Sequence, residues 1–435
     1  MNHVSKIAYL PIEFSAREFH SKIALASHLI ANGFAVLIGQ QWEIYNQLNN
    51  LQPGIFLFKS HNKIHQNAML IAKNNGHKII SLEEEVMALS DFNAIEKMSS
   101  EHIYDICDYI LCNGQFEYSF HKSRNNDKAK LKITGNPRID LLKDHYRPLY
   151  KEKINKIIEA YGNFILINTN FAFCNSIWDD KDQLKNIYIK AGGLNKNDSK
   201  SIKDYDDYLD WENASFKEID NLVKVLSEKI EGINIVVRPH PGENFQKTKE
   251  QYKGLHNVSV VREGSHVPWT LASSFLVHTS CTTGLEAAVA SKKAISIVPY
   301  KIWYSEQILS NKVNYIANNY KDAFGFISQF YESEKKISNF EDVNLEFYLH
   351  NAYSKNSIKE ILCIFKDIKY TNDEIGFYFN RPAEMQKISK DKCSISINEV
   401  ISSINNISFI DNLNITGLEK SISQVAESLF YIAAQ

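Results

Sequence analysis

The sequence of 435 residues lacks the features that mark several common protein classes. Its six cysteines are scattered, with no CxxC pair and no cysteine–histidine group at zinc spacing, which is typical of unpaired thiols in a reducing compartment. No apolar run approaches the roughly 18 residues of a membrane span, and the N-terminus lacks a secretory pattern. The net charge of −2 gives no basic field for nucleic acid. These absences predict a cytoplasmic protein that does not bind nucleic acid.

Several catalytic motifs are also missing. There is no P-loop lysine signature and no GxGxxG, so neither ATP-driven phosphoryl transfer nor dinucleotide redox chemistry is indicated. The pairs Asp179/Asp180 and Asp206/Asp207 resemble a short acidic metal-binding element, but their polar surroundings are typical of solvated charge. We therefore expect no metal and no cofactor. The lysine-rich stretch KSRNNDKAKLK allows peripheral contact with the inner face of the cytoplasmic membrane, although a solvated loop is the simpler interpretation.

What the sequence does contain is a regular alternation of short apolar runs and longer amphipathic segments. This alternation is typical of βαβ units, and it predicts an α/β, GT-B-like protein with two Rossmann-like domains, 1–148 and 149–330, whose parallel sheets face a central cleft. Residues 331–435 are predicted to form a mainly helical extension. The polar stretch 176–212 indicates a long insertion or mobile loop leading into a helix. In such folds ligands lie at the carboxyl ends of the strands.

The stretch VVRPHPGENF, residues 236–245, ends an apolar run with a dense set of polar groups. Two prolines restrict the backbone on either side of His240, so its imidazole is held with little freedom, as a phosphate or nucleotide site requires. The alternative is a rigid turn in which His240 caps a helix. The candidate nucleotide-binding residues of this loop are Arg238, His240, Gly242 and Glu243.

A second candidate is HTSCTTGLEAA, residues 278–288, in which an apolar strand runs into hydroxyls and a helix start. Unpaired N–H groups and the positive end of the helix dipole make such a start an anion site. The alternative is a capping box, in which Thr282 or Thr283 caps the helix and the Glu286 side chain accepts from the backbone N–H of the capping residue. The candidate donor-binding residues here are His278, Ser280, Thr282, Thr283 and Glu286.

Four predicted strand ends of the first domain also carry polar side chains. Clustered glutamates in SLEEEVMAL should raise at least one carboxyl pKa and suit it to proton transfer or nucleophilic attack. Each of these residues alone is as consistent with a surface as with a site, but together they favour a functional rim. The candidates are Glu13, Arg17, Lys59, Asn136 and Arg138 for substrate binding, and Glu84 and Glu85 for catalysis.

Four stretches together resemble bacterial surface-carbohydrate biosynthesis proteins of the GT-B type. These are YLPIEFSAREFHSKIALASHLIANGFAVLIG, TGNPRIDLL, RPHPGEN and HTSCTTGLEAAVASKKAISI, and the match covers about residues 5–320. The relatives include retaining transferases of Kdo, pseudaminic and legionaminic acid, and more distantly polysialyltransferases and CDP-glycerol glycerophosphotransferases. Where these relatives tend to have Asp-Glu-Glu-Gly, this chain has EEEV, so Val86 replaces the glycine.

The resemblance implies a glycosyltransferase that moves a nonulosonic acid-type sugar (pseudaminic, legionaminic, sialic acid or Kdo) from a CMP-activated donor to a glycan or lipid-linked glycan acceptor. The acceptor would lie against the N-terminal domain and the nucleotide against the C-terminal one. His240 with Ser280, Thr282 and Thr283 would contact phosphate, and Glu286 the ribose. Retention of configuration is implied by the resemblance alone, and the catalytic carboxylate would be Glu84, Glu85 or Asp207, with His240 assisting.

Three other functions stay open at this point. A glycerol- or ribitol-phosphate transferase would also bind a cytidine nucleotide. A non-catalytic assembly protein would keep the fold without turnover, although it would have no need of a preorganised His240. A UDP-sugar epimerase of the same two-domain form is the third, and it requires that UDP-N-acetylglucosamine bind.

Overall fold

The computed structural model describes residues 6–178, 181–190, 194–332, 343–353, 356–369, 385 and 387–434. The chain forms two compact units, and each has its own buried apolar core. The first unit consists of residues 1–87, 91–150 and 344–435, and the second consists of residues 88–90 and 151–343. Because residues 344–435 lie in the first unit, the C-terminal segment is not a unit of its own.

The strands and helices follow one another in the alternation that the sequence predicts. The strands are β1 (Lys6–Ile12), β2 (Phe34–Gln40), β3 (Ile55–Phe58), β4 (Lys78–Leu82), β5 (Tyr109–Cys112), β6 (Lys130–Ile133), β7 (Phe164–Asn168), β8 (Asn234–Arg238), β9 (Val258–Val260), β10 (Phe275–His278), β11 (Ala294–Ile297), β12 (Tyr315–Ala317), β13 (Ile422–Ala426) and β14 (Leu429–Ile432). The helices are α1 (Ser15–Ile30), α2 (Gln41–Asn46), α3 (Lys63–Asn74), α4 (Phe92–Met98), α5 (Ile103–Ile106), α6 (Gln115–Lys122), α7 (Pro137–Asp140), α8 (Arg147–Tyr161), α9 (Lys181–Lys190), α10 (Ser199–Lys229), α11 (Phe245–Gln251), α12 (His266–Ala272), α13 (Thr282–Val289), α14 (Trp303–Gln307), α15 (Ser310–Val313), α16 (Tyr320–Glu332), α17 (Leu345–Tyr348), α18 (Ser357–Asp367), α19 (Lys387–Lys392), α20 (Ile397–Asp411) and α21 (Leu418–Ser421).

The two sheets have the doubly wound order expected of Rossmann-like folds. The first runs β13-β14-β2-β1-β3-β4-β5-β6, and its strands from β2 to β6 are parallel. The second runs β12-β11-β10-β7-β8-β9 and is parallel throughout. Its central strands are almost continuously apolar because helices cover both faces of such a sheet. The predicted α/β class with two Rossmann-like sheets is confirmed.

The described part of the C-terminal segment is mainly helical, as predicted, but it also contains two strands that the prediction did not include. Its last two strands form a hairpin, and β14 pairs antiparallel with β2 at the edge of the first sheet. The two strands lie so close that a Cβ on Gly39, whose φ is +141°, would lie 2.1 Å from the Ser428 carbonyl oxygen. An unpaired β2 edge would expose its backbone groups to other chains, which explains why a strand follows the helices.

The long polar stretch before β8 also differs from its prediction. Helix α10 runs from Ser199 through the region expected to be an insertion or loop, and Asp198 caps it by accepting from the Lys200 N–H. In the described part of the chain, no helix combines the length and the apolar character needed to cross a bilayer.

Candidate functional sites

The loop that follows β8 holds His240 in a defined orientation. The residue is exposed, and its Nδ1 accepts a hydrogen bond from the Gly242 N–H at 3.1 Å. A neutral imidazole with Nδ1 as acceptor carries its proton on Nε2, so the ring presents a donor there. The His240 N–H in turn donates to the Glu243 carboxylate at 2.8 Å. The loop is therefore preorganised, while its contact with a nucleotide stays a prediction.

Two other predicted residues of this loop, Arg238 and Glu243, make internal hydrogen bonds that hold the loop in place. The Arg238 guanidinium donates to the carbonyl oxygens of Glu263 at 2.9 Å and Gly264 at 3.1 Å, and lies 4.9 Å from the centre of the Trp269 ring. Its burial lowers the pKa of Arg238 to about 10. Glu243 is 1% exposed and accepts from the Thr169 hydroxyl at 2.7 Å. Both side chains hold the loop from within.

Sequence reasoning missed Arg262, which lies close to the same loop. Its guanidinium donates to the carbonyl oxygens of His240 at 3.3 Å and Glu243 at 2.5 Å, and it lies 5.0 Å from the centre of the Phe245 ring. The signal available in the sequence was its position just after β9, the strand that pairs with β8.

The start of α13 has the tight turn expected of an anion site. Ser280 is buried and adopts a left-handed backbone conformation, with φ of +51°, and its hydroxyl accepts from the Asn311 amide at 2.9 Å. Thr282 and Thr283 are half-buried at the first turn. The capping-box alternative is wrong, because the N-cap residue is Cys281.

Glu286 is almost fully buried on the same helix and makes a very short contact with the His266 imidazole. His266 begins α12 and is partly exposed. Sequence reasoning missed His266, since nothing local to residue 266 signals a carboxylate partner. The Glu286 carboxylate therefore lies close to the start of α13, where the sequence predicts the ribose contact.

His278 does not occupy the position expected of a nucleotide ligand. It is fully buried, and burial lowers its pKa to about 3, so the ring is neutral. Its Nε2 lies 3.2 Å from the Asn314 amide nitrogen, and a Cβ on Gly284 would fall 2.2 Å from the same atom. His278 therefore packs against α13, and Gly284 leaves space for its ring because it has no side chain.

Between these two loops lies Asn168, which sequence reasoning also missed. It ends β7, pairs in register with Arg238 on one side and His278 on the other, and is 5% exposed. Its amide oxygen and nitrogen are both buried without a hydrogen-bond partner among the described residues, as is the Thr279 hydroxyl. Buried amides are normally paired, so a water or ligand at this sheet edge would supply the partners that Asn168 lacks. The available signal was the run NFILINTNF, in which three polar residues follow the apolar stretch FILI.

Asp207 lies on the surface of α10. Its carboxylate is 43% exposed and pairs with Lys203 one turn earlier at 3.5 Å. The carboxylate that this helix buries is Glu212, which accepts from the N–H groups of Phe173 at 3.0 Å and Cys174 at 2.5 Å. Burial raises the pKa of Glu212 to about 7. Asp179 and Asp180 lie outside the described residues.

In the first unit, five charged side chains meet at the carboxyl ends of β1, β3 and β4. We call this group the rim cluster. Lys59 Nζ lies 2.5 Å from Glu13, 3.1 Å from Glu18 and 3.7 Å from Glu85. Arg17 pairs with Glu85 at 2.6 Å and with Glu18 at 3.3 Å. The sequence rule that strand ends converge is confirmed for these residues.

The rim cluster keeps its carboxylates ionised. Burial alone would raise the pKa of Glu85, but Arg17 and Lys59 outweigh it and lower that pKa. Glu13 behaves in the same way, with Lys59 and Lys392 lowering its pKa against burial. Glu85 is 32% exposed and is thus an accessible, ionised carboxylate.

The remaining predicted residues of this unit lie deeper. Glu84 is 2% exposed and lies 3.3 Å from Lys22 and 3.9 Å from Arg138. Asn136 is 1% exposed and caps α7 by accepting from the Arg138 N–H at 3.0 Å. Val86 is buried and begins a short 3₁₀ turn. These residues are therefore closed to solvent.

Glu83 is the glutamate of the triplet whose pKa is raised. It is fully buried and accepts from the Ser60 hydroxyl at 2.6 Å and the His61 N–H at 3.1 Å. Burial raises its pKa to about 7, and the charge of Glu85 adds to the effect. The prediction of one raised pKa is confirmed, although its main cause is burial and not like charge.

No protein-family model matches the chain, and no curated protein sequence matches it. Solved structures do match in fold. A structure of a UDP-N-acetylglucosamine 2-epimerase from Listeria monocytogenes aligns with a TM-score of 0.53 at 13% identity, over 83% of this chain and 96% of that one. One from Rickettsia bellii aligns at 0.51 and 12%, over 83% and 96%. A further UDP-N-acetylglucosamine 2-epimerase aligns at 0.52 and 11%, over 86% and 100%.

These similarities confirm the GT-B-like architecture and overturn the predicted activity. The structural relatives are named for a UDP-sugar epimerase, so the prediction of nonulosonic acid transfer from a CMP donor is wrong. The physical reason lies in the motifs behind it. A strand-end histidine, hydroxyls at a helix start and a carboxylate for ribose bind parts that cytidine and uridine nucleotides share, and they do not read the base. The peripheral membrane contact stays a prediction.

Proposed function

We propose that this chain is a nucleotide-sugar enzyme that binds a uridine diphosphate sugar in its second unit and inverts C2 of an N-acetylhexosamine. The structural relatives are named for this reaction. Similarity of fold alone does not decide the chemistry, so the proposal depends on whether the residues of this chain suit it.

One arrangement carries the proposal. Three adjacent parallel strands, β8, β7 and β10, end at one edge of the second sheet with the His240 loop, Asn168 and the start of α13. Two strand spacings amount to about 10 Å, which a nucleoside diphosphate spans. The imidazole, the helix N–H groups and the threonine hydroxyls supply donors for a diphosphate. Glu286, beside His266, is assigned to the ribose hydroxyls.

The reaction itself requires a base. Inversion at C2 breaks the C2–H bond and re-forms it on the opposite face of the ring. That proton is weakly acidic, so its removal is easiest when the nucleotide departs from C1 as an anion and later returns. The donors around α13 stabilise the departing diphosphate.

Binding is tested first, by thermal shift with UDP, CMP and GDP at equal concentrations. We expect UDP to raise the melting temperature most, since a ligand at 100 times its dissociation constant adds about 2.7 kcal/mol of stability. His240→Ala should weaken UDP binding or turnover by about 100-fold or more, because one preorganised donor is lost. His256→Ala is the matched control, since His256 is an exposed histidine of the same unit.

The reaction is tested by incubating UDP-N-acetylglucosamine with the full chain in D₂O and following the sugar protons by NMR. Deuterium should replace the C2 proton while the manno epimer appears. Stabilisation by CMP but not by UDP would overturn the binding half of the proposal. UDP binding without any C2 exchange would overturn the epimerase half.

A further inference from the structure

Three side chains of the first unit meet in its interior without hydrogen-bond partners for the atoms that face one another. They are His61, just after β3, and Glu117 and His121, one turn apart on α6. The two histidines are fully buried, and Glu117 is 3% exposed. One ligand atom from each lies within 4.8 Å of the other two.

The unpaired atoms are the ones that would bind a cation. His61 Nε2, His121 Nε2 and Glu117 Oε1 are all buried and have no hydrogen-bond partner among the described residues. His121 Nε2 and Glu117 Oε1 are 3.6 Å apart, too far for a hydrogen bond. Leaving three polar atoms unpaired in one place costs free energy, because each has lost its contact with water.

The second polar atom of each of these three side chains does have a hydrogen-bond partner. His61 Nδ1 lies 3.2 Å from the Ser81 hydroxyl, and His121 Nδ1 lies 3.1 Å from the Tyr104 hydroxyl. Glu117 Oε2 accepts from the Asn113 backbone and side-chain N–H groups at 2.7 and 2.8 Å. When Nδ1 of each ring donates to its hydroxyl partner, the Nε2 lone pair is left for a metal ion. Histidines that bind metals are usually held in this way.

We propose that His61, Glu117 and His121 form a buried binding site for a divalent transition metal, with Zn²⁺ as the ion that fits best. Two imidazoles and one carboxylate disfavour Mg²⁺ and Ca²⁺, which take oxygen ligands, and match a known zinc ligand set. Ligand atoms around tetrahedral zinc lie about 3.3 Å apart. Binding therefore draws the more distant atoms together by up to about 1.5 Å, through side-chain rotations.

The position of the site indicates a structural role. His61 Nε2 lies 3.9 Å from the Glu83 carboxylate, and the Asn113 amide that holds Glu117 also donates to the Glu83 carbonyl oxygen at 2.7 Å. A metal there would join the exit of β3 to α6, next to Glu83, which follows β4. This inference does not depend on the proposed function, since it concerns residues that are closed to solvent.

The test is metal binding by the full chain after removal of any affinity tag. The protein is stripped with a chelator, loaded with Zn²⁺ or Co²⁺, desalted and analysed for metal by mass spectrometry. We expect equimolar metal and a higher melting temperature. The Co²⁺ form should show visible d–d bands without the intense near-ultraviolet band of cobalt thiolates, which separates this site from the six cysteines.

Variants assign the metal to these residues. His121→Asn and Glu117→Gln should lose the bound metal. Tyr104→Phe should weaken the affinity for the metal by about 10- to 100-fold, because the Tyr104 hydroxyl orients the His121 ring.

His65→Asn is the matched control. His65 is also buried, and its Nδ1 lies 3.1 Å from the Tyr45 hydroxyl. It should bind metal normally. Wild-type protein that takes up no metal, or a thiolate spectrum from Co²⁺, would overturn the proposal even if a variant failed to fold. Metal retained in both His121→Asn and Glu117→Gln would do the same.

Discussion

At the scale of single residues, Gly284 and His278 fit together with no room for another carbon. A Cβ on Gly284 would fall 2.2 Å from His278 Nε2, and both residues are buried. We expect Gly284→Ala to destabilise the second unit by about 1–3 kcal/mol, the usual cost of overpacking a core. Thermal or denaturant unfolding of the purified variant measures this.

The control for that variant is Gly325→Ala, in α16 of the same unit. A Cβ there meets nothing within 4 Å, so the change should be neutral or stabilise by up to about 1 kcal/mol through helix propensity. Equal stability of the two variants would show that the ring moves aside freely. In that case the packing role given to His278 would be wrong.

Glu212 provides a pH prediction. Burial raises its pKa to about 7, so the folded state holds a proton that the unfolded state releases above its ordinary pKa near 4.5. Its contribution to stability is therefore full below about pH 4.5 and is lost as the pH rises towards 7, by up to about 3 kcal/mol. Glu212→Gln keeps an oxygen for the Phe173 and Cys174 N–H groups and removes the titration.

The measurement is the melting temperature of wild type and Glu212→Gln between pH 5 and pH 8. The wild type should fall relative to the variant over this range, and the gap should be largest at pH 8. Parallel curves would mean that Glu212 keeps an ordinary pKa in the folded protein. Other buried carboxyls, such as Glu83, titrate in both proteins and cancel in the comparison.

The sequence predicted which residues lie at strand ends but not which way each one points. His240 and Glu85 are accessible, whereas Arg238 and His278 are engaged inside the fold. The difference arises from tertiary partners, such as the Glu263 carbonyl, that are remote in sequence and carry no local pattern. The Glu117 and His121 partners of His61 were missed for the same reason, since they lie on α6, far from His61 in sequence.

At the scale of elements, the C-terminal hairpin stabilises the first sheet. Phe430 on β14 is fully buried beside β2, whereas Phe409 on α20 is 83% exposed. Phe430→Ala should cost about 3–5 kcal/mol through lost burial and the cavity left behind. Phe409→Ala should stay within about 0.5 kcal/mol of the wild type. Calorimetry of both variants checks the pair, and equal effects would mean that the hairpin adds nothing to the core.

Periodicity predicted the strands of both sheets well, because fully buried parallel strands are short apolar runs with clear ends. It missed the first half of α10, the short strand β12 and the hairpin. The first turns of α10 are polar, and its buried face appears only where Trp211 and Ile219 pack. The hairpin is a strand pair because β2 offers an open edge, a property of the assembled sheet and not of residues 422–432.

At the scale of the whole molecule, the first unit is formed by segments that both precede and follow the second unit in the sequence. Residues 344–435 contribute β14 to the first sheet and pack α18 and α20 against α1. The second unit is formed almost entirely by the continuous segment 151–343. Domains with separate cores can unfold separately. Removal of the C-terminal segment should therefore damage the first unit and spare the second.

A chain that ends at residue 343 tests this by hydrogen exchange. Amides of β1 and β2 should lose protection relative to the full chain, while those of β7, β8 and β10 keep it. UDP should still protect the loop around His240, because all its proposed contacts lie in the second unit. If protection instead fell equally in both sheets, the two units would depend on each other for folding. If it fell in neither, the hairpin and its helices would be dispensable to the first unit, and the cost expected for Phe430→Ala would have no structural basis.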